Sequence, residues 1–407
     1  MLIQLSRRSW QRFLFLLGIV AVYTALLVGS NYLRWPNWWD ENSFWKTSLT
    51  FSDRLIPTLD QLRDYRELST PLPFMIYGAL EHLFQGGIFA GRLFNFVLSI
   101  GMSVIIGYPH RGKGGKSILC LVGLLLCPYY LWLSGRLYTD IIASFFVLMG
   151  FLFYNRDRHL LSGLAFVLGI ASRQYVLAFP TAIAAHELIS ILLSRAKGFE
   201  LKQHVRWIIP SIAASTILGW FYLFNGLAPS SGLAVRSTPE VQQATWALTP
   251  GSGLFFLAII GLYFVIPEFI LFESWPKLKV LEKLKKLRTK HALIAAGLLV
   301  LFVLFPPSSH ASGNLIKLAG LLPADFLKIG LFYVLAVLTC WRFSRLELPF
   351  WIVLFSSVIM MKAHPWDRYV LPLVVAFWYL KSVGYPGLSA PETSSNSHCR
   401  PNVEQHG

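Results

Sequence analysis

Arg12-Phe-Leu-Phe-Leu-Leu-Gly-Ile-Val-Ala-Val-Tyr-Thr-Ala-Leu-Leu-Val-Gly-Ser-Asn-Tyr32 carries no charge after its first residue. At about 1.5 Å of rise per residue, a helix of this length crosses the roughly 30 Å hydrocarbon core of a bilayer. Apolar runs follow at 88–108, 117–134, 138–154, 159–172, 175–193, 207–225, 251–272, 291–306, 325–341, 348–361 and 369–381. The fold class expected is therefore all-α, a polytopic membrane protein of about 12 transmembrane helices. Composition points the same way, with 407 residues that are 55% hydrophobic and 14% charged. A soluble domain carries about 25% charged residues, so this chain lacks the polar groups to coat a water-facing surface. The same numbers exclude a disordered chain and a small disulfide scaffold. No convincing small-residue cleavage site follows the first run, which reads as a retained first helix.

The formal charge of +16 raises the question of nucleic acid, and the position of the charges answers it. With the N-terminus inside, the cytoplasmic segments hold Arg7, Arg8 and Arg12, then Arg111, Lys113 and Lys116, then Arg156 and Arg158. The basic runs in 195–206 and 277–290 come next, followed by Arg342, Arg345, Lys381 and Arg400. That is the positive-inside pattern, with anionic lipid headgroups as the partner and no nucleic acid. Residues 1–388 form one transmembrane unit, 32–87 its long first extracytoplasmic loop, and 389–407 a disordered cytoplasmic tail. Inside that loop Pro73–Phe84 is too short to span and reads as an interfacial or re-entrant helix. Cys120, Cys127 and Cys340 lie in apolar runs and Cys399 in the tail, with neither disulfide nor metal spacing.

The outer face collects polar groups that an apolar chain has little other reason to carry. The first loop begins Trp35-Pro-Asn-Trp-Trp-Asp40-Glu41. Two adjacent carboxylates behind a tryptophan cluster are either part of a solvated loop with an interfacial aromatic belt or a general base at the membrane surface. In the second case Trp35, Trp38 and Trp39 hold the loop at headgroup depth or offer a flat face to a sugar. Arg92 and Asn95 stand near the start of the second run, and Arg136-Leu-Tyr138-Thr-Asp140 turns between the third and fourth. Arg173-Gln174 turns between the fifth and sixth, Arg236 lies in the loop 226–250, and His364-Pro-Trp-Asp367-Arg368-Tyr369 opens the last. Each has a structural alternative: a helix cap worth roughly 0.5–2 kcal/mol for Thr139 or Asp140, a snorkelling anchor for Arg92, a pair with Asp367 for Arg368. Together, arginines on the face that disfavours them, opposite an acidic pair, suit a reaction in which a phosphate leaves, because a guanidinium binds phosphate oxygens through a planar fork.

This ordered set resembles the GT-C superfamily, multi-pass glycosyltransferases that use polyprenyl-phosphate sugars as donors. The resemblance rests on Asp40-Glu41 after the first helix, Ser69-Thr-Pro-Leu-Pro73 before a short helix, and the Arg92-x-x-Asn95 pair. Leu137-Tyr-Thr-Asp140 and Arg173-Gln174 look most like the dolichyl-phosphate-glucose α-1,2-glucosyltransferase group, and Asp367-Arg368-Tyr369-Val-Leu-Pro372 like its late Arg-Tyr segment. Residues 10–190 and 360–375 are covered, whereas 195–345 match nothing in the pattern. Asp140 stands where that group would have Glu, so glucose is not implied. The absence of an Asn-x-Ser/Thr sequon favours a bacterial inner membrane over the endoplasmic reticulum of a eukaryote.

The resemblance implies an inverting hexosyltransferase that moves a sugar to an acceptor hydroxyl on a lipid-linked glycan, a lipid or a protein at the extracytoplasmic face. Asp40 would be the base, with Glu41 orienting it or serving instead. A like charge nearby and burial beneath an acceptor both make a carboxylate a better proton acceptor. Arg136, Arg173 and Arg368 would hold the donor phosphate as its charge grows. Arg92, Asn95, Tyr138, Asp140, Gln174 and Asp367 would bind or orient substrates. No cofactor or metal is implied, since His82, His310 and His364 are isolated in sequence. A transporter or lipid-linked-sugar flippase is the alternative, but it would place ionisable groups near the midplane, often in repeats, and no repeat is visible. An O-antigen ligase or polymerase would carry its large outer loop late rather than first, and a non-catalytic scaffold would tolerate Asn at position 40.

Overall fold

The computed structural model describes residues 7–108, 114–194, 201–236, 247–272, 289–307 and 311–388. The tail from Ser389, His310 and most of the basic runs 195–206 and 277–290 lie outside the described residues. Among the described residues the chain is all-helical, and the one strand-like pairing is an isolated bridge between Ser312 and Trp366.

Every apolar run becomes helix. The first half comprises α1 (Arg7–Thr24), α2 (Glu41–Leu49), α3 (Leu59–Arg63), α4 (Leu72–Phe84), α5 (Gly87–Gly107), α6 (Gly114–Leu125), α7 (Pro128–Ser134), α8 (Thr139–Tyr154), α9 (His159–Ser172) and α10 (Ala178–Ser194). The second comprises α11 (Leu201–Phe224), α12 (Ser230–Val235), α13 (Pro250–Ile260), α14 (Ile266–Phe272), α15 (Thr289–Leu304), α16 (Asn314–Ala319), α17 (Asp325–Arg342), α18 (Leu348–Met360) and α19 (Leu371–Val383). Five of the resulting segments are long and apolar enough to cross a membrane: Arg12–Gly29, Gly87–Gly107, Gln174–Leu193, His204–Phe224 and Pro250–Phe272. A sixth crosses only if α6 and α7, bent by 75° about a short break, count as one span. The sequence predicts that run as one straight helix. Pro128 breaks it, holding Cys127 extended and opening a new helix at its own first position. Helices α8, α9, α15 and α18 are apolar but shorter, so the dozen runs are a dozen helical segments of unequal reach.

The core lies where α8 packs on α9 and α19, with α10 against α11 and α13 against α17. Trp378, Phe377, Phe264 and Phe151 are among its buried aromatics. The first loop sits on this bundle as a folded layer, with α4 packed on α2 so closely that a Cβ on Gly78 would stand 2.7 Å from the backbone of Ser48 and Phe51. A capping box between Thr58 and Gln61 starts α3, and Pro71 and Pro73 start α4.

Helix polarity sorts the polar groups into two ends. The starts of α8 and α19 face the first loop. Their far ends carry Tyr154, which donates to Glu187, and Lys381, which donates to Glu268 at 2.7 Å beside Arg342. A cysteine introduced at Asn42, in a background without native cysteines, should therefore react with an impermeant maleimide from the side opposite to one at Asn155. Labelling of both from the same side of sealed vesicles would overturn this topology.

Candidate active site

The two adjacent carboxylates of the first loop have different surroundings. Glu41 is fully buried. Its Oε1 accepts from Arg92 Nε at 2.9 Å and the Leu137 backbone N–H at 2.8 Å. Its Oε2 accepts from Arg92 Nη2 at 3.0 Å, Arg136 Nη1 at 2.9 Å and the Trp38 N–H at 2.9 Å. Arg92 spends its remaining donors on the loop itself, on the carbonyls of Leu33 and Trp35 and on Asn37 Oδ1. Asn95, one turn on, donates to the carbonyls of Arg136 and Tyr138 and exchanges hydrogen bonds with Tyr77. Glu41, Arg92 and Asn95 thus bind the first loop, α5 and the 136–138 turn into one piece. Buried charges are tolerated only when paired and hydrogen-bonded this fully.

Asp40, in contrast, is not fully buried. Its side chain is 18% exposed, with Oδ1 accepting from Arg236 Nη1 at 3.1 Å and Oδ2 from Arg368 Nη2 at 3.0 Å. The residue before it, Trp39, is 72% exposed at φ +44°, a left-handed conformation that a bulky aromatic rarely adopts. Such strain persists where the surroundings fix the backbone, and functional sites are where it concentrates. The Trp39 ring meets that of Trp366 edge-on.

Arg368 is the central cation. It is only 3% exposed, yet Nε and Nη1 have no hydrogen-bond partner among the described residues. Its guanidinium lies 3.7 Å from the Trp366 ring centroid and 5.0 and 5.4 Å from those of Tyr138 and Tyr369. Aromatic faces stabilise the charge without using the N–H groups. On its other side Asp140, fully buried at the start of α8, accepts from Arg173 Nη2 at 3.0 Å and the Tyr175 hydroxyl at 2.7 Å. Arg173 keeps an unpartnered buried Nε, as does Arg136, whose guanidinium lies among Trp35, Trp38 and Trp132.

Asp367 is not the partner of Arg368. Its carboxylate is buried and turned the other way, accepting from the Tyr129 hydroxyl, the Tyr263 hydroxyl at 2.8 Å and the Leu315 N–H at 3.0 Å. A Cβ on Gly313, at φ +120°, would stand 1.6 Å from Asp367 Oδ1, so the 311–315 segment wraps that carboxylate and holds the base of the Arg368 turn. Gln174 donates to the Leu68 carbonyl at 2.7 Å, tying the 173–175 turn to the first loop, and the Tyr138 hydroxyl points to the Trp38 carbonyl at 3.4 Å. His82 contacts the Ser52 carbonyl and His364 contacts Ser312. Among the described residues no three His, Cys, Asp or Glu side chains gather to hold a metal.

Two residues of the cluster have no sequence motif to mark them. Glu67 is 3% exposed and accepts from Arg236 Nη2 and from the Ser43 hydroxyl. Burial pushes its carboxyl above the usual range, against the opposing pull of Arg236 and Ser43. Arg236 is visible in the sequence as an outer-face arginine, but its bridge between Asp40 and Glu67 spans separations of 196 and 169 residues.

No protein-family model matches the sequence, and no curated protein matches it. Two solved structures are similar, both crystal structures of ArnT from Cupriavidus metallidurans, one bound to undecaprenyl phosphate and one in the apo state. Each is 18% identical over 91% of this chain and 78% or 77% of that one, with TM-scores of 0.42 and 0.38. A likeness at this level assigns no activity.

The burial of Glu41 carries a test. Glu41→Ala should strand two buried guanidiniums and destabilise the fold by about 3–5 kcal/mol, read as a lower Tm in detergent, whereas Asp40→Asn, which keeps an acceptor oxygen at a partly exposed position, should lower Tm by less. Equal Tm values for wild type and Glu41→Ala would show that the buried pair is not structural.

Proposed function

We propose that this chain is an inverting GT-C-type glycosyltransferase that moves a hexose from a polyprenyl-phosphate donor to an acceptor hydroxyl on a lipid-linked glycan, a lipid or a protein. The observation that carries the reading is the pairing of Asp40, partly exposed, with Arg368, buried but with two unpartnered N–H groups. A carboxylate able to take a proton stands beside a cation with free donors for an anion, which is what displacement of a phosphate requires.

In the proposed step the acceptor oxygen bonds the anomeric carbon while its proton passes to Asp40. The bond from that carbon to the phosphate oxygen breaks on the opposite face, so the configuration inverts. The electron pair leaves with the lipid phosphate, whose added charge meets the Arg368 guanidinium at one of its two unpartnered nitrogens, Nε or Nη1. Phosphate leaves readily, so one base suffices, unlike the acid–base pair of an inverting hydrolase. Arg173 and Asp140 hold Tyr175 and the far side of the cation cluster, with Arg173 Nε available to a second phosphate oxygen. Glu41, Arg92 and Asn95 act by positioning, because their donors and acceptors are already engaged with protein. The membrane favoured for the reaction is a bacterial inner membrane, at its outer face.

Purified protein in lipid, offered a panel of polyprenyl-phosphate sugars and acceptors, should release sugar from a donor. Asp40→Asn should slow transfer by roughly 10²–10⁴-fold, the usual worth of a general base, at unchanged membrane abundance; near-normal turnover would remove Asp40 from that role. Arg368→Ala should raise the KM for donor more than that for acceptor. An equal loss on both substrates would make Arg368 structural.

A further inference from the structure

In this structure each Asp40 oxygen already accepts one guanidinium N–H, from Arg236 at Oδ1 and from Arg368 at Oδ2, so an acceptor hydroxyl has to share an oxygen with a cation. Arg236 has a different second partner already in place, Glu67, on which its other terminal nitrogen rests. The frame around this fork is firm. Asp64 accepts from Ser230 and from both the N–H and hydroxyl of Ser231, fixing the start of α12. A Cβ on Gly232 would stand 2.5 Å from the Glu67 carbonyl oxygen, so α12 lies directly on the Glu67 backbone. Ser43, two residues after Glu41 on α2, donates to Glu67 at 2.6 Å. Arg236 therefore projects from a fixed helix end between two carboxylates, Glu67 buried and Asp40 partly exposed.

We propose that Arg236 is a latch on the base and that Glu67 is the positioning residue that draws it off. When the acceptor hydroxyl arrives, Arg236 gives up Asp40 Oδ1 and rests wholly on Glu67, and the freed oxygen receives the hydroxyl proton. Electrostatics make the exchange inexpensive: the guanidinium keeps a carboxylate partner throughout, so no buried charge is stranded. The charged and titratable groups facing Asp40 are Arg236 and Arg368, with Tyr138 and Glu67 within Coulombic reach, while the Glu41 carboxylate is turned toward Arg92 and Arg136. Without a charge on Glu67, Arg236 is left with Asp40 alone.

This inference rests on the transferase reading, and its test separates the two. The experiment compares wild type, Glu67→Gln, Arg236→Gln and the double variant in the lipid-based transfer assay, using whichever polyprenyl-phosphate sugar wild type consumes. Glu67→Gln should lower acceptor kcat/KM by tenfold or more and leave the donor KM unchanged, because Arg236 then stays on Asp40. Adding Arg236→Gln should reverse that loss. If Arg236 instead holds the donor phosphate, Arg236→Gln raises the donor KM and the double variant is slower than either single one, which would overturn the latch. Unchanged acceptor kinetics in Glu67→Gln would overturn it too. Should Glu67→Gln fail to accumulate, Arg236→Gln decides alone through its donor KM. A wild type that consumes no donor removes the transferase reading before any variant is compared.

Discussion

The buried carboxylate of Glu41 receives two arginines and two backbone N–H groups from three separate parts of the chain. Water is an excellent solvent for charge and a protein interior is a poor one, so a carboxylate in this position persists only if its lone pairs are met by fixed donors. Meeting them requires the first loop to lie against α5 and the 136–138 turn to lie against the loop. Asn95 adds neutral hydrogen bonds to the same turn. Once that knot is tied, Asp40 has little freedom: it is the next residue back, at the edge of the buried cluster, on a backbone held in strain at Trp39. The rigidity of one carboxylate defines the position of the other.

A second knot serves the opposing cation. Asp367 is wrapped by Tyr129, Tyr263 and the backbone of Leu315, which fixes the short turn that carries Arg368. Arg368 is then held by aromatic faces on several sides and by Asp40 at one nitrogen, with its remaining N–H groups aimed at no protein acceptor among the described residues. Burying a guanidinium with unsatisfied donors is unfavourable, and under the proposed function these N–H groups, with those of Arg136 and Arg173, are where the donor phosphate is met. Anions with several oxygens satisfy that geometry best.

Much of this is legible in the amino-acid sequence. The apolar runs mark the helices, because the helix is the structure in which a single segment satisfies its own backbone in lipid. The Pro71–Pro73 stretch marked the start of α4. What periodicity could not supply was the bend at Cys127-Pro128, although the proline was its signal. The site was legible as a set of residues but not as a set of roles. Asp40 and Glu41 are adjacent carboxylates in sequence; only burial distinguishes the fully enclosed one from the partly exposed one. Asp367 and Arg368 are neighbours in sequence, and a short turn sends their side chains in opposite directions. Glu67 was not legible at all: a lone acidic residue in a polar loop acquires meaning only when Arg236, far along the chain, comes to lie on it.

The most direct test of the account is a cryo-EM structure of the protein in lipid with an undecaprenyl-phosphate compound bound. Phosphate density is expected within hydrogen-bond distance of Arg368 Nε or Nη1, with Glu41 still paired to Arg92 and Arg136. Phosphate bound elsewhere, with those two Arg368 nitrogens still unpartnered, would contradict it.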